Sequence, residues 1–163
     1  MATSAEALRP EVARISLRAN WWIAIPITAL IAAIQSDGLW LLYYVHIFSA
    51  ILWTGTDIFM GFILGPIMRR VDVPTRRAIT LRLAPRMLFY MPTVATVTTT
   101  AGYYLGQRYG LFQLSYPDAY WVLAAVALVV VMTVQGFGIL LPTNLRVFFE
   151  MRKEKPDAAK SAG

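Results

Sequence analysis

Two ionisable side chains interrupt an apolar stretch, YVHIFSAILWTGTDIFMGFILGP, which runs from Tyr44 to Pro66. His46 is the only histidine of the chain, and Asp57 follows eleven residues later, close to three whole helical turns. We therefore expect both side chains on one helix face, with Trp53 near them. Imidazole is a common metal ligand, and a carboxyl group in an apolar setting can accept a proton. The pattern predicts His46 as a metal or cofactor ligand and Asp57 as a catalytic residue.

Polar side chains of two other segments are expected at the depth of Asp57. Thr96 belongs to a threonine-rich stretch, and Gln135 lies beside glycines that allow close helix approach. We predict Thr96 and Gln135 as cofactor-binding residues, together with His46 and Trp53. Each of these polar groups has a simpler alternative as an interhelical hydrogen-bonding partner. Met87 and Met91, one turn apart, are either soft ligands or fillers of gaps in the core.

The elements that position these residues belong to a chain with a strongly apolar composition. The 163 residues are 58% hydrophobic, and the mean hydropathy is +0.55, which is too apolar for an ordinary soluble domain. The absence of cysteine excludes disulfides and thiolate chemistry, and the single histidine excludes any site that needs two histidines from one chain. No hydrolase triad, phosphate-binding loop or nucleotide motif occurs in the sequence.

The apolar residues fall into four runs, and a membrane-spanning helix needs about 20 residues. The sequence therefore predicts an all-α integral membrane protein, with four transmembrane helices in an antiparallel bundle. Residues 1–150 are expected to form this single domain, followed by a disordered polar tail at 151–163. The predicted spans cover about residues 19–35, 39–68, 83–105 and 120–141.

The positive charge of the chain supports this arrangement. The net charge is +6, and 14 of the 15 basic residues lie before the first span, between the second and third, or after the fourth. Cytoplasmic loops of membrane proteins collect Lys and Arg, so we place both termini in the cytoplasm. Aromatic residues, including Trp40, Tyr116 and Trp121, are expected at the opposite interface. Long apolar runs separate the basic clusters, which argues against nucleic acid and for a lipid bilayer as the partner.

The stretch from Leu39 to Gly106 resembles a group of bacterial four-helix membrane families, the HemJ-type protoporphyrinogen oxidases and the CopD-type copper-resistance domains. The shared features are an early histidine (His46), a Trp-x-Gly (Trp53 to Gly55), a basic loop, and a helix with proline followed by threonine and glycine. The resemblance implies a multi-pass protein of the bacterial inner membrane, with haem b bound through His46. The further histidine and glutamate positions of the HemJ pattern have no counterpart here.

A lone histidine cannot provide both axial ligands of a haem. The sequence therefore predicts a five-coordinate haem or a site shared between two subunits, in the outer half of the bundle, with Tyr43 or Tyr44 orienting the ring. The first functional hypothesis is a haem- or quinone-associated redox protein, or a subunit of a redox complex. The alternatives are a non-enzymatic anchor or assembly subunit, in which His46 makes a plain hydrogen bond, and a carrier for protons, metal ions or a small solute. A homo-oligomer or other membrane subunits are the expected protein partners.

Overall fold

The computed structural model describes residues 17–36, 38–115 and 117–151. Every regular element in these ranges is helical, which confirms the all-α class. The predicted C-terminal tail from residue 152 onward and the interfacial Tyr116 lie outside the described residues. The α-helices are α1 (Ala24–Gln35), α2 (Leu39–Ile58), α3 (Gly65–Arg70), α4 (Val73–Arg108), α5 (Ala119–Thr133) and α6 (Leu141–Met151). Short 3₁₀ helices occupy Leu17–Ile23 and Leu111–Gln113.

Two continuous helical rods are long and apolar enough to cross a membrane. They cover Leu39–Arg70 and Ala119–Glu150, each 32 residues long. Each measures about 48 Å at the rise of an α-helix, more than the hydrocarbon thickness of a bilayer. At the predicted first span the structure has a shorter apolar helix, Asn20–Gln35, of which α1 is the 12-residue α-helical part and extends about 18 Å.

Each long rod contains a π-helical segment that ends two residues before a proline. Phe59–Leu64 precedes Pro66, and Val134–Leu140 precedes Pro142. Proline lacks an N–H group and its ring clashes with the carbonyl four residues earlier. A π-helical turn shifts the hydrogen-bonding pattern of the preceding residues, and such turns are frequent at functional sites. Both rods are therefore continuous helices. In the second half of each rod, the π-helical segment rotates the side chains that follow it relative to a regular α-helix.

Helix α4 is longer than the predicted third span. It begins at Val73, because Asp72 accepts a hydrogen bond from the Thr75 backbone N–H and Pro74 fits the first turn. Its far end contacts α1, where the Arg108 guanidinium donates to the Ile34 carbonyl at 2.6 Å. The one arginine outside the three basic clusters thus satisfies the C-terminal end of α1.

Helices α1, α2 and α4 pack around one apolar core. Its buried members are Leu30, Ala33, Leu42, Val97, Ala101 and Leu105. We call the region around this core the packed half of the α2–α4 pair. The remainder, formed by residues 53–68 and 80–95, is the hollow half, and it lies at the end that bears the central arginine cluster.

The second long rod, Ala119–Glu150, covers the predicted fourth span, and we call it the fourth rod. It joins the other helices mainly at its C-terminal end. Phe148 of α6 is fully buried and forms a second core cluster with Leu81, against which Ala84 packs. Among the described residues, α5 makes at most marginal contact with α2 or α4. The rod therefore leans away from the pair over most of its length, which leaves a gap beside the hollow half.

Candidate functional site

A cavity of about 570 Å³ fills the gap between the hollow half and the fourth rod. This volume lies within the range of pockets that bind drug-sized molecules. Three helical rods supply its walls, and both π-helical segments border it. The lining residues are Trp53, Asp57, Met60, Leu64, Gly65, Met68, Thr80, Leu83, Ala84, Met87, Leu88, Met91, Pro92, Ala95, Met132, Gln135, Gly136, Phe137, Leu141 and Asn144.

Methionine is concentrated in this cavity. All five methionine side chains that the structure describes line it: Met60, Met68, Met87, Met91 and Met132. Three rods contribute them, so the concentration does not arise from a single stretch of sequence. Methionine is unbranched and polarizable, and it adapts to ligands of varied shape. The lining is therefore apolar and deformable.

A small number of polar groups interrupt the apolar lining. Asp57 and Gln135 face the cavity from α2 and from the second π-helical segment, and both side chains remain accessible. Thr80 and Asn144 line it nearer the arginine cluster. Of the described residues, Asp57 is the only charged one in the lining, and none of the others pairs with its carboxylate through a hydrogen bond or an ion pair. Within the part of the chain that the structure describes, the cavity thus contains one carboxyl group with no counter-charge.

A smaller cavity of about 300 Å³ adjoins the large one on the other side of the α2–α4 contact. Met60, Leu83 and Met87 line both cavities, so these three side chains form the partition between them. Two of the three are methionines, whose side chains change rotamer at low cost. The partition is therefore a deformable part of the wall.

His46 lies in the packed half, outside both cavities. Its Nδ1 is 2.9 Å from the Thr98 carbonyl oxygen, and only the protonated form of that nitrogen can donate to a carbonyl. The imidazole ring packs against Gly102, where an added Cβ would be 2.8 Å from Cε1 of the ring. The partner that orients the ring is thus the Thr98 carbonyl rather than Tyr43 or Tyr44.

The position of His46 does not fit a haem in the large cavity. Eleven residues separate His46 from Asp57, which corresponds to about 16 Å along the helix. The nearest lining residue on α2, Trp53, is about 10 Å from His46 by the same measure. The described residues also contain no group of three or more His, Cys, Asp or Glu side chains suited to a metal ion. Haem ligation thus stays a prediction about His46 alone.

The predicted site residues therefore separate into two groups. Trp53, Asp57 and Gln135 come together in the cavity, whereas His46 and Thr96 lie elsewhere. Thr96 is exposed and outside the cavity lining. The cavity lies in the half that bears the central arginine cluster, whereas the sequence analysis expected the site in the half farther from that cluster.

Sequence reasoning missed the cavity itself and the concentration of methionine in its lining. Met87 and Met91 stood out because they are one turn apart, but Met60, Met68 and Met132 are distant in sequence. A usable signal was present, since five of the chain's seven methionines lie between residues 60 and 132. Met60 lies in the helical stretch before Gly65-Pro66, and Met132 lies in the stretch before Leu141-Pro142.

Comparison with known proteins adds no assignment for this arrangement. The chain matches no protein-family model, no curated protein and no solved structure. The chemistry of the cavity is therefore the basis for assigning a function.

Proposed function

We propose that the protein is a four-span inner-membrane protein, with both termini in the cytoplasm, that binds a lipophilic small molecule in the methionine-lined cavity. The observation that supports this function is a drug-sized cavity with a deformable apolar lining and few polar groups. Quinones are the lipophilic class that the redox hypothesis suggests. Gln135 would donate a hydrogen bond to a ligand oxygen, and Asp57 would hold or accept a proton.

The membrane placement rests on two further features. Two rods of 32 residues have the length and composition of spans, and 14 of the 15 basic residues lie in the three sequence segments that a four-span arrangement places on one side. A ligand that dissolves in lipid would reach the cavity laterally, because α5 leans away from the other helices. Fusing a topology reporter after Lys160 and another within residues 107–118 should place the two sites on opposite sides of the membrane. The same side for both fusions would contradict the four-span arrangement.

The cavity can be filled without disturbing the fold. A Cβ added at Gly136 meets no atom within 4 Å, and Gly136 lines the cavity. Gly61 is a matched control, since it also belongs to a π-helical segment and has open space, but lies outside the lining. Decylubiquinone should quench the fluorescence of Trp53, measured as the difference between the wild type and Trp53→Phe.

We expect Gly136→Leu to weaken the apparent affinity for decylubiquinone, measured by this quenching, at least about tenfold, because the leucine occupies the space of the ligand. Gly61→Leu should quench as the wild type does. Equal quenching in both variants would show that the quinone contacts Trp53 from the lipid, and the cavity assignment would then be wrong.

A haem on His46 is tested separately by a visible spectrum. Ligation by His46 would give a Soret band that disappears in His46→Ala. The hydrogen bond to Thr98 and the contact with Gly102 explain the histidine without haem, so we expect a colourless preparation that gains no Soret band with haemin. A band that depends on His46 would restore the haem hypothesis for the packed half.

A second candidate function is that of an assembly subunit in a homo-oligomer or a larger membrane complex. The observation that favours it is the exposed fourth rod, whose most apolar window has no buried residue. Trp121 and Leu123 at its start are 81% and 63% exposed. Fluorescent fusions extracted in native lipid discs should bleach in more than one step if copies associate. Single-step bleaching, with no other protein in the discs, would exclude this role.

A further inference from the structure

The charge of the cavity indicates what kind of lipophilic molecule it accepts. Asp57 is the only charged side chain among the described lining residues, and no described residue pairs with its carboxylate. A carboxylate in apolar surroundings is poorly solvated, so an occupant that brings a positive charge gains a strong Coulomb interaction. An anionic occupant would meet repulsion at the same position. The charge complementarity therefore favours a cation.

The aromatic part of the lining favours the same charge. Trp53 precedes Asp57 by four residues, one helical turn, and both line the cavity. The face of an indole ring attracts cations, and this attraction is larger for tryptophan than for the other aromatic side chains. Phe137 adds a second aromatic ring from the fourth rod. A carboxylate and an indole side chain one turn apart on α2 thus both favour a cation at this position.

The size and softness of the lining distinguish an organic cation from a metal ion. A metal ion needs a compact set of ligands, whereas about 570 Å³ spread over three rods suits a bulky molecule. Methionine side chains adapt to bulky apolar groups of varied shape. Basic side chains, which would repel a cation, are not found in the described lining.

We propose that the cavity binds bulky lipophilic organic cations, with Asp57 as the counter-ion, Trp53 as the aromatic contact and the methionines as the adaptable wall. This inference rests on the proposed function, because it names the ligand class of the same cavity. It also explains why an ionisable residue lies in the middle of an apolar helix.

The test uses two ions of nearly the same shape and opposite charge, tetraphenylphosphonium and tetraphenylborate. The full-length protein is reconstituted in neutral phosphatidylcholine discs, and binding of each ion is measured calorimetrically, with empty discs subtracted. We expect the wild type to bind the cation at least about tenfold more tightly than the anion. Asp57→Asn should remove this preference by weakening cation binding. Asp118→Asn, the matched control at the other end of the bundle, should leave it unchanged.

A second pair of variants isolates the aromatic contact. Trp53→Leu should weaken cation binding about threefold to thirtyfold, the range expected for a cation–aromatic contact. Trp121 lies on the exposed part of α5, so the control Trp121→Leu should leave the affinity for tetraphenylphosphonium unchanged. A cation affinity that is unchanged by both Asp57→Asn and Trp53→Leu would overturn the proposal.

The outcomes separate this inference from the proposed function. If both ions bind equally and Gly136→Leu blocks both, the lipophilic cavity stands and the preference for cations is wrong. If neither ion is sensitive to Gly136→Leu, both the cavity function and the inference fail. Silver ion is included as a soft-metal probe. Binding of silver that is lost in Met60→Leu and Met87→Leu, with no binding of tetraphenylphosphonium, would make the cavity a metal site and overturn the organic cation.

Discussion

The two halves of the α2–α4 pair are built from different side chains and serve different ends. In the packed half, Ala101 and Gly102 let the helices approach closely, and the His46–Thr98 hydrogen bond joins them. In the hollow half, Met60 and Met87 separate two cavities. The same two helices thus change from direct contact to a soft, open wall along their length.

This difference shows how one bundle can combine rigidity with adaptability. Small residues and an orienting histidine fix the position of the helices at one end. Prolines and π-helical turns at the other end alter the helix face, and methionines line the space that results. Each half contains one of the two ionisable groups that interrupt the apolar stretch. His46 is hydrogen-bonded to the Thr98 carbonyl in the packed half, and Asp57 lines the large cavity in the hollow half.

The largest effect is expected at the buried cluster where α6 of the fourth rod packs against α4. Phe148 is fully buried against Leu81. Phe148→Ala should lower the free energy of unfolding by about 3–5 kcal/mol, because it leaves a cavity in the core. It should also abolish quenching by decylubiquinone, since the wall that the fourth rod supplies detaches from the other two.

The neighbouring Phe149 supplies the control for this change. It is 51% exposed, so Phe149→Ala should cost far less stability and leave ligand binding intact. Unfolding in a sodium dodecyl sulfate titration, followed by circular dichroism, measures both variants. Equal losses in the two variants would show that the Leu81–Phe148 contact is not what holds the fourth rod.

A smaller effect is expected in the packed half from a single added methyl group. In Gly102→Ala the new Cβ would lie 2.8 Å from Cε1 and 3.1 Å from Nδ1 of His46, so the ring must move away from its partner, Thr98. We expect a loss of about 1–3 kcal/mol in the free energy of unfolding. Unfolding in sodium dodecyl sulfate, followed by circular dichroism, measures this loss as well.

Gly55→Ala is the matched control, since its added Cβ meets no atom within 4 Å. Alanine is the better helix former, so this variant should be neutral or more stable by up to about 1 kcal/mol. If Gly102→Ala behaves like Gly55→Ala, the helices of the packed half can separate freely. The contrast between the two halves would then be lost.

How much of each half could be predicted from the sequence depends on whether its features are local or arise from the packing of separate helices. Helical class and the shared face of Trp53 and Asp57 follow from composition and periodicity, which are local properties. The convergence of Gln135 on the same site followed from matching depths in antiparallel helices. Thr96 failed to join them because a rotation of α4 by part of a turn turns it outward, and depth alone does not set rotation.

The cavity and the partner of His46 depend on distances between helices, which periodicity does not contain. The π-helical turns add a further difficulty, because they change the face on which Met60 and Gln135 lie relative to a regular helix. The start of α4 at Val73 lies ten residues before the predicted third span for another reason. Hydropathy marks where a helix becomes apolar, whereas the Asp72 cap marks where the helix begins.

The smallest effect concerns the turn that leads into the hollow half. Asp72 is exposed, and hydrogen bonds from the side chain and backbone of Thr75 lower the pKa of its carboxyl group below the ordinary value of 3.8. A carboxylate whose pKa is lowered in the folded state stabilises that state above the unfolded pKa, and the contribution is lost as the pH falls through the folded pKa. Asp72→Ala should therefore lower the Tm slightly at pH 7, and the difference from the wild type should narrow below about pH 3.8.

Asp72→Asn separates the cap from its charge. Asparagine also accepts the Thr75 N–H bond at a helix start but does not titrate, so its Tm at pH 7 should lie close to that of the wild type. On acidification, the Tm difference between Asp72→Asn and Asp72→Ala should stay constant. The Tm difference between the wild type and Asp72→Ala should shrink.

The turn adjoins the hollow half alone, so none of these variants should alter the packed half. Gly102→Ala should therefore lower the stability by the same amount in the wild type, in Asp72→Ala and in Asp72→Asn. A non-additive combination of Asp72→Ala with Gly102→Ala would show instead that α4 transmits strain along its whole length, and the two halves would then behave as one cooperative unit.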